Sequence, residues 1–379
     1  MAKRVNIPIV DLKREYTFLK KEIEKNLKSL FNSQRWILDS SVGKLEERIA
    51  RYLGVNYAIG VASGTDALLL SLRAICISKK NKDFFDKKDE IITTPLTFIA
   101  TAEAIVRSGA TPVLVDIDPY TFNIDLFKIK KAINKNTVGI IPVHLYGLPC
   151  YMDEILKIAS KYNLFVIEDC AQSFGAEYKG KKAGAFGDCG CFSFFPSKNL
   201  GGYGDGGLIS TNSKDIAHIV KSLREHGQNR RYEAEYVGYT SRLDSIQAAV
   251  ILAKLKHIDG FNRKRARVAK KYNKELIKIK NIEVPFVPKN TKHVYHLYTI
   301  KVAKRRDALL KYLNYKGINA RIYYPVPLYK MAAFKEAKIR GSFENVKAVL
   351  SKILTLPIHP FLKDREISYV IDSVKSFFK

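Results

Sequence analysis

The chain has 379 residues, enough for two or three domains with a full core, and its apolar and charged fractions are those of an ordinary soluble protein. No run of about 18 or more uncharged apolar residues occurs, and the N-terminal MAKRVNIPIVDLKREY lacks an apolar stretch, so neither a membrane span nor a signal peptide is expected. The net charge of +28 comes mostly from lysines spread over many predicted helices, with no zinc-finger spacing and no helix-turn-helix or RRM signature, and it reads as a lysine-rich surface rather than a nucleic-acid partner.

Residues 11–31 carry Leu12, Tyr16, Leu19, Ile23, Leu27 and Leu30 at helical spacing, which predicts an amphipathic helix. Residues 43–53 predict a second helix, stopped by Gly54. Tyr57 to Ala62 reads as a buried strand running into Ser63-Gly64-Thr65-Asp66 and an apolar helix. Such a turn aims free backbone N–H groups at one point, which suits a phosphate; an ordinary helix cap uses the same residues. After a charged linker, 79–89, strands at 90–94, 111–116, 137–143 and 164–168 alternate with helical segments such as 152–162. That alternation predicts parallel βαβ units, and strands apolar throughout predict helices on both faces.

Further on, Cys189 to Phe195 and 207–211 read as strands, 213–227 as a helix, 227–240 as a polar, aromatic loop and 241–278 as one long helical region. Past Pro285 and Pro288 the pattern changes. Strand-like 293–303, 319–324 and 354–359, with helices at 305–317 and 365–378, predict a smaller unit. The fold class is therefore α/β. A large domain, 1–250, includes a helical segment 1–54 and holds a mostly parallel central sheet covered by helices; a smaller C-terminal α+β domain spans 251–379. The five cysteines (Cys76, Cys150, Cys170, Cys189, Cys191) are odd in number in a long chain. They read as reduced core thiols of a cytoplasmic protein, with no metal site expected.

Ligands in such sheets bind outside the carboxyl ends of the strands. Here those ends carry Gly64-Thr65, Thr97-Phe98, His144 and Asp169 to Gln172. Lys198 follows Phe194-Phe195-Pro196-Ser197 and precedes Asn199-Leu200-Gly201-Gly202. Aromatic walls favour an uncharged amine, which is able to form a Schiff base with an aldehyde; the bland alternative is one more surface lysine. Asp169, closing an apolar strand, suits the protonated ring nitrogen of pyridoxal 5'-phosphate (PLP). Glu168 points the other way. Gln172 is placed to donate to the ring oxygen, Phe98 to stack on the ring, and Ser193 to join Gly64 and Thr65 on the phosphate.

With these residues in view, the chain resembles the DegT/DnrJ/EryC1/StrS sugar aminotransferases over nearly its whole length. The blocks SGTDALLLSL, TPLTFIATAEAI, PVHLYG, IEDCAQSFGA, FSFFPSKNLGGYGDGG, SRLDSIQAA, HVYHLY and LPIHP carry the resemblance. It implies the fold-type-I, PLP-transferase sheet, with PLP as cofactor and Lys198 as the Schiff-base lysine. It also implies Asp169 on the pyridinium, Gln172 on the ring oxygen, Phe98 on the ring face, and Gly64, Thr65 and Ser193 on the phosphate. Amino transfer from glutamate to a keto group of a nucleotide-linked sugar follows, in a homodimer whose 227–242 loop completes the partner's site.

Where the family usually has an asparagine reaching the partner's phosphate, this chain has Thr240, a shorter donor. The same loop is arginine-rich (Arg230, Arg231). Arg242, Tyr324 and His359 match family positions near the substrate. The phrase SFFPSKNLGGYGDGG looks more like members acting on 3-keto UDP- or dTDP-sugars for surface glycans than like those acting on 4-keto sugars, which remain the alternative. A non-catalytic PLP-binding regulator is the other reading, and retention of both Lys198 and Asp169 argues against it.

Overall fold

The computed structural model describes residues 5–379. A single eight-stranded sheet organises the large part of the chain. Its spatial order is Tyr57–Val61, Gly207–Thr211, Cys189–Ser193, Phe165–Asp169, Thr137–Ile140, Glu90–Thr93, Thr111–Leu114 and Lys338–Ile339. Gly207–Thr211 pairs antiparallel with both neighbours, and every other pairing in the sheet is parallel. The carboxyl ends of Tyr57–Val61, Phe165–Asp169 and Cys189–Ser193 therefore share one edge. Connections between the parallel strands must cross a face of the sheet, and helices do so. Gly64–Lys80 is one of them, buried without a break from Ala67 to Ile77, and that stretch is apolar on every side apart from Ser71 and the hydrogen-bonded Arg73.

A second core gathers Ile7 with residues from Val268 to Val374. It lies around a three-stranded antiparallel sheet, with Tyr298–Val302 between Ile282–Glu283 and Ile353–Leu356. Among the described residues, no helix is long and apolar enough to cross a membrane.

Several local expectations shift. The helical region after 241 is two helices, Ser245–Leu255 and Ile258–Leu276, broken at Lys256-His257. The polar loop contains a short hairpin, Gln228–Arg230 with Glu233–Ala234. Residues 319–324 form no strand beyond an isolated bridge from Arg321 to Thr355. The Tyr146 hydroxyl takes the Tyr323 carbonyl, and Pro325 and Pro327 have no N–H to give a ladder. Lys338–Ile339, which lacks any strand pattern, extends the edge of the large sheet from within the C-terminal part. Lys338 (2.6 Å) and Arg340 (3.1 Å) pair there with the fully buried Glu90.

Close packing at the working edge of the sheet makes one substitution diagnostic. A Cβ on Gly190 would come within 2.4 Å of Gly184 Cα and 2.5 Å of Ser210 Oγ. Gly190→Ala is expected to destabilise the fold by about 1–3 kcal/mol through overpacking. The measurement is a lower denaturation midpoint with an unchanged denaturant slope.

Candidate active site

Asp169 ends its strand opposite Cys191 and is 6% exposed. One carboxylate oxygen receives the Ala171 amide at 3.1 Å, and the other receives the Thr101 hydroxyl at 2.8 Å. Glu168 faces the opposite side of the strand, as alternation requires. It accepts the amides of Gly184 (2.9 Å), Phe186 (2.7 Å) and Gly187 (2.9 Å), and it meets His144 Nε2 at 2.9 Å. His144 Nδ1 accepts the Cys150 amide at 3.0 Å, so that ring nitrogen carries no proton and Nε2 donates to Glu168. The ligand atoms of His144, Glu168 and Cys170 lie within 4.8 Å of one another, but with both ring nitrogens engaged this group acts as a clamp on the 184–187 turn.

Lys198 is part-buried, and no hydrogen-bond partner reaches its amine among the described residues. Burial pushes the amine down to about 8, while the Asp169 charge pulls it back up. The residue beside it is held firmly. Asn199 Nδ2 donates to Asn262 Oδ1 (2.8 Å) and the Val294 carbonyl (3.1 Å), and Asn199 Oδ1 meets His296 Nδ1 at 3.2 Å. The loop that follows closes tightly, with the Gly202 amide on the Phe194 carbonyl at 2.6 Å.

The helix Gly64–Lys80 starts at the same edge. Ser63 caps it by accepting the Asp66 amide at 3.0 Å, and the first-turn amides of Gly64 and Thr65 have no helical carbonyl behind them. Ser193 abuts Gly64, where a Cβ would lie 2.7 Å from Ser193 Cβ. Gly64, Thr65 and Ser193 thus form one cradle, drawn from residues far apart in the chain.

Gln172, 4% exposed, has its amide orientation set by its neighbours. Its Oε1 accepts the Tyr146 amide at 2.7 Å, and its Nε2 donates to the Tyr324 hydroxyl at 2.9 Å. The other Nε2 hydrogen has no partner among the described residues. Tyr146 reaches this position with a left-handed φ of 59°. The Phe98 ring is 54% exposed and lies 6.0 Å from the Tyr324 ring. Burial and then the Asp169 charge raise the Tyr324 phenol, which stays protonated.

Asp169, Lys198, Gln172, Tyr324 and Phe98 therefore meet at the edge that carries the Gly64, Thr65 and Ser193 cradle. Thr240 and Arg242 do not join them within one chain. Thr240 is exposed and meets His226 Nε2 at 3.1 Å. Arg242 lines a cleft of about 480 Å³ with His218, Lys221, His226, Arg230 and Arg231. His359 is 1% exposed, and its charged neighbours are Arg265, Asp11, Arg14 and Glu366 rather than Lys198. Burial, then Arg265, holds it down to about 4, as a neutral imidazole. Thr101, Tyr146 and His296 were not singled out from sequence. Each nonetheless lies in one of the family-like blocks, Thr101 in TPLTFIATAEAI, Tyr146 in PVHLYG and His296 in HVYHLY.

The donor set fits PLP. An acid is available for the ring nitrogen, a free amide hydrogen for the ring oxygen, a poorly basic amine for the aldehyde and a cradle of amides and hydroxyl for the phosphate.

Comparison with known proteins agrees with this chemistry. The model of the DegT/DnrJ/EryC1/StrS aminotransferase family matches residues 18–375. The chain is 41% identical over 371 residues to dTDP-3-amino-3,6-dideoxy-alpha-D-galactopyranose transaminase of Aneurinibacillus thermoaerophilus, covering 98% of this chain and 99% of that one. It is 38% identical over 375 residues to UDP-N-acetyl-3-dehydro-alpha-D-glucosamine 3-aminotransferase of Acidithiobacillus ferrooxidans, covering 99% of each. The crystal structure of S. venezuelae DesV in complex with a ketimine intermediate matches with a TM-score of 0.93 and 35% identity, over 99% of both chains.

The depressed lysine gives a pH test. Only the neutral amine attacks an aldehyde, so the rate at which cofactor-free protein takes up PLP should rise with pH and level off above about 8, the value burial sets for Lys198. Stopped-flow absorbance across the pH range reads this, and a rate still climbing steeply at pH 10 would refute it.

Proposed function

We propose, for a chain that belongs to the DegT/DnrJ/EryC1/StrS aminotransferase family, that it moves an amino group from glutamate to the 3-keto group of a UDP- or dTDP-linked sugar. The single observation that carries this reading is Lys198, an amine of lowered basicity within electrostatic reach of Asp169 at the ligand-binding edge of the sheet. PLP is the cofactor; when bound, it delocalises the electron pair left on carbon as the donor loses its α-proton.

The chain's own residues supply the rest. Asp169 holds a proton on the ring nitrogen. Gln172 Nε2 donates to the ring oxygen, and Gly64, Thr65 and Ser193 bind the phosphate. Phe98 covers one ring face. Lys198 Nζ, once free, accepts the proton from the donor's α-carbon and returns it on the other side of the exchange. Tyr324 is held by Gln172 beside this group and faces the substrate. The 3-keto assignment rests on the loop SFFPSKNLGGYGDGG together with the two 3-aminotransferase relatives.

A homodimer completes the site. The 227–242 loop carries exposed Tyr232 and Val237 together with the cationic lining of Arg230, Arg231 and Arg242. Those cations suit the diphosphate of a nucleotide sugar, and Thr240 donates to the partner's cofactor phosphate. All five cysteines are unpaired and buried, as suits the reducing cytoplasm.

Lys198→Ala is expected to lose the visible band of lysine-bound cofactor and to slow transamination about a thousand-fold or more. Incubation with glutamate and matched 3-keto and 4-keto UDP- and dTDP-sugars should give amino sugar only from the 3-keto set; turnover confined to the 4-keto set would overturn the positional assignment. On dilution, activity per chain should fall as the dimer dissociates in sedimentation velocity, and a fully active monomer would contradict the shared site.

A further inference from the structure

The Asp169 carboxylate is held by the hydroxyl of Thr101. Thr101 lies on the first turn of the helix Ala100–Arg107 and is fully buried. Its hydroxyl has one hydrogen and three oxygen acceptors in range, Asp169 Oδ2 at 2.8 Å, Thr97 Oγ1 at 3.2 Å and the Phe98 carbonyl at 3.4 Å. The carboxylate is nearer and charged, so it takes the hydrogen. Thr97 Oγ1 lies 3.2 Å from Thr101 Oγ1, and with the Thr101 hydrogen committed, Thr97 donates to Thr101. Thr97 is itself 2% exposed. The two hydroxyls form a directed chain ending on one oxygen of Asp169, while the Ala171 amide occupies the other oxygen. Both carboxylate oxygens are oriented, and the carboxylate keeps lone pairs on its open side.

We propose that Thr101, backed by Thr97, is a positioning residue that fixes the Asp169 carboxylate for the ring nitrogen of the cofactor. This rests on the reading of Asp169 as the ring-nitrogen acid. The same short segment carries Phe98, one helical turn before Thr101, so one piece of backbone sets both the ring-face contact and the orientation of the acid. The titratable groups within electrostatic reach of Asp169 are Lys198, Tyr324 and Cys191, and none of them replaces the Thr101 donor.

The test uses the holoenzyme and two readouts apart from turnover: the dissociation constant for PLP, and the pH midpoint of the visible band of lysine-bound cofactor. A protonated ring nitrogen lowers the basicity of the lysine–cofactor bond, so weakening the grip on Asp169 raises that midpoint. Thr101→Val keeps the shape and removes the donor. It should raise the dissociation constant about tenfold, as expected for a lost hydrogen bond to a charged group, and move the midpoint up by about one pH unit. Thr101→Ser should restore both to within about twofold of wild type.

A folded Thr101→Val with both readouts unchanged would overturn the proposal. So would a Thr101→Ser as impaired as the valine variant, which would assign the effect to the methyl group. If Thr101→Val does not fold, Thr101→Ala is read by the same criteria. Asp169→Ala separates the two levels. If it moves the midpoint and Thr101→Val does not, only the role of Thr101 falls; if it moves neither readout, the assignment of Asp169 falls and takes Thr101 with it.

Discussion

The site depends on one backbone approach, at Gly207. This residue pairs with Val61 on one side and Ser193 on the other. A Cβ there would lie 2.2 Å from the Ser63 carbonyl oxygen and 2.8 Å from the Gly64 nitrogen. Only a residue without a side chain lets the strand carrying Ser193 and the helix start carrying Gly64 close on the same point. The antiparallel strand that begins at Gly207 is thus more than a filler in a parallel sheet. It sets the separation of the two strands whose carboxyl ends bring Ser193 beside Gly64, and the register onward to Asp169 follows, because Cys191 pairs with Asp169 two residues before Ser193.

Two adjacent carboxylates on the next strand show how partners rather than residue type decide a role. Glu168 is buried completely and receives four hydrogen bonds, three from the amides of one turn and one from His144. Its lone pairs are taken, and it serves to hold the turn against the sheet. Asp169 receives two side contacts and keeps an open face toward Lys198 and Tyr324. Strand alternation sends the two acids to opposite faces, so a fully engaged carboxylate and one with an open face stand one residue apart without repelling each other at short range.

Most of this was legible in the sequence because it rests on local signals. Apolar strands ending on Asp169 and before Gly64, and a lysine between aromatic and glycine-rich residues, are patterns along the chain. What the sequence left unread depends on tertiary partners. Lys338–Ile339 becomes a strand because Glu90 is buried opposite Lys338 and Arg340, not because two residues show a period. Residues 319–324 alternate like a strand yet give a carbonyl to Tyr146 instead of a ladder. Thr101 looks like any helix-start threonine until Asp169 is placed beside it. His359 matches a family position, but its burial with Arg265, Arg14 and Glu366 is a property of the fold alone.

The setting of Lys198 also shows how a strongly basic chain holds one lysine of lowered basicity. Both amide hydrogens of Asn199 point at carbonyl oxygens, on Asn262 and Val294. Its own oxygen must therefore accept, and His296 Nδ1 must carry the proton. Burial, with Lys198 next in effect, holds His296 well below its ordinary value, so the imidazole stays neutral. The backbone next to the lysine is thereby pinned by a network that adds no charge. Asp169 is left as the charged group that bears on the amine, opposing burial and holding its basicity at a level where proton uptake and release near neutral pH are both accessible. Rigidity comes from amides and a neutral ring, and the lowered basicity of Lys198 from burial opposed by one carboxylate.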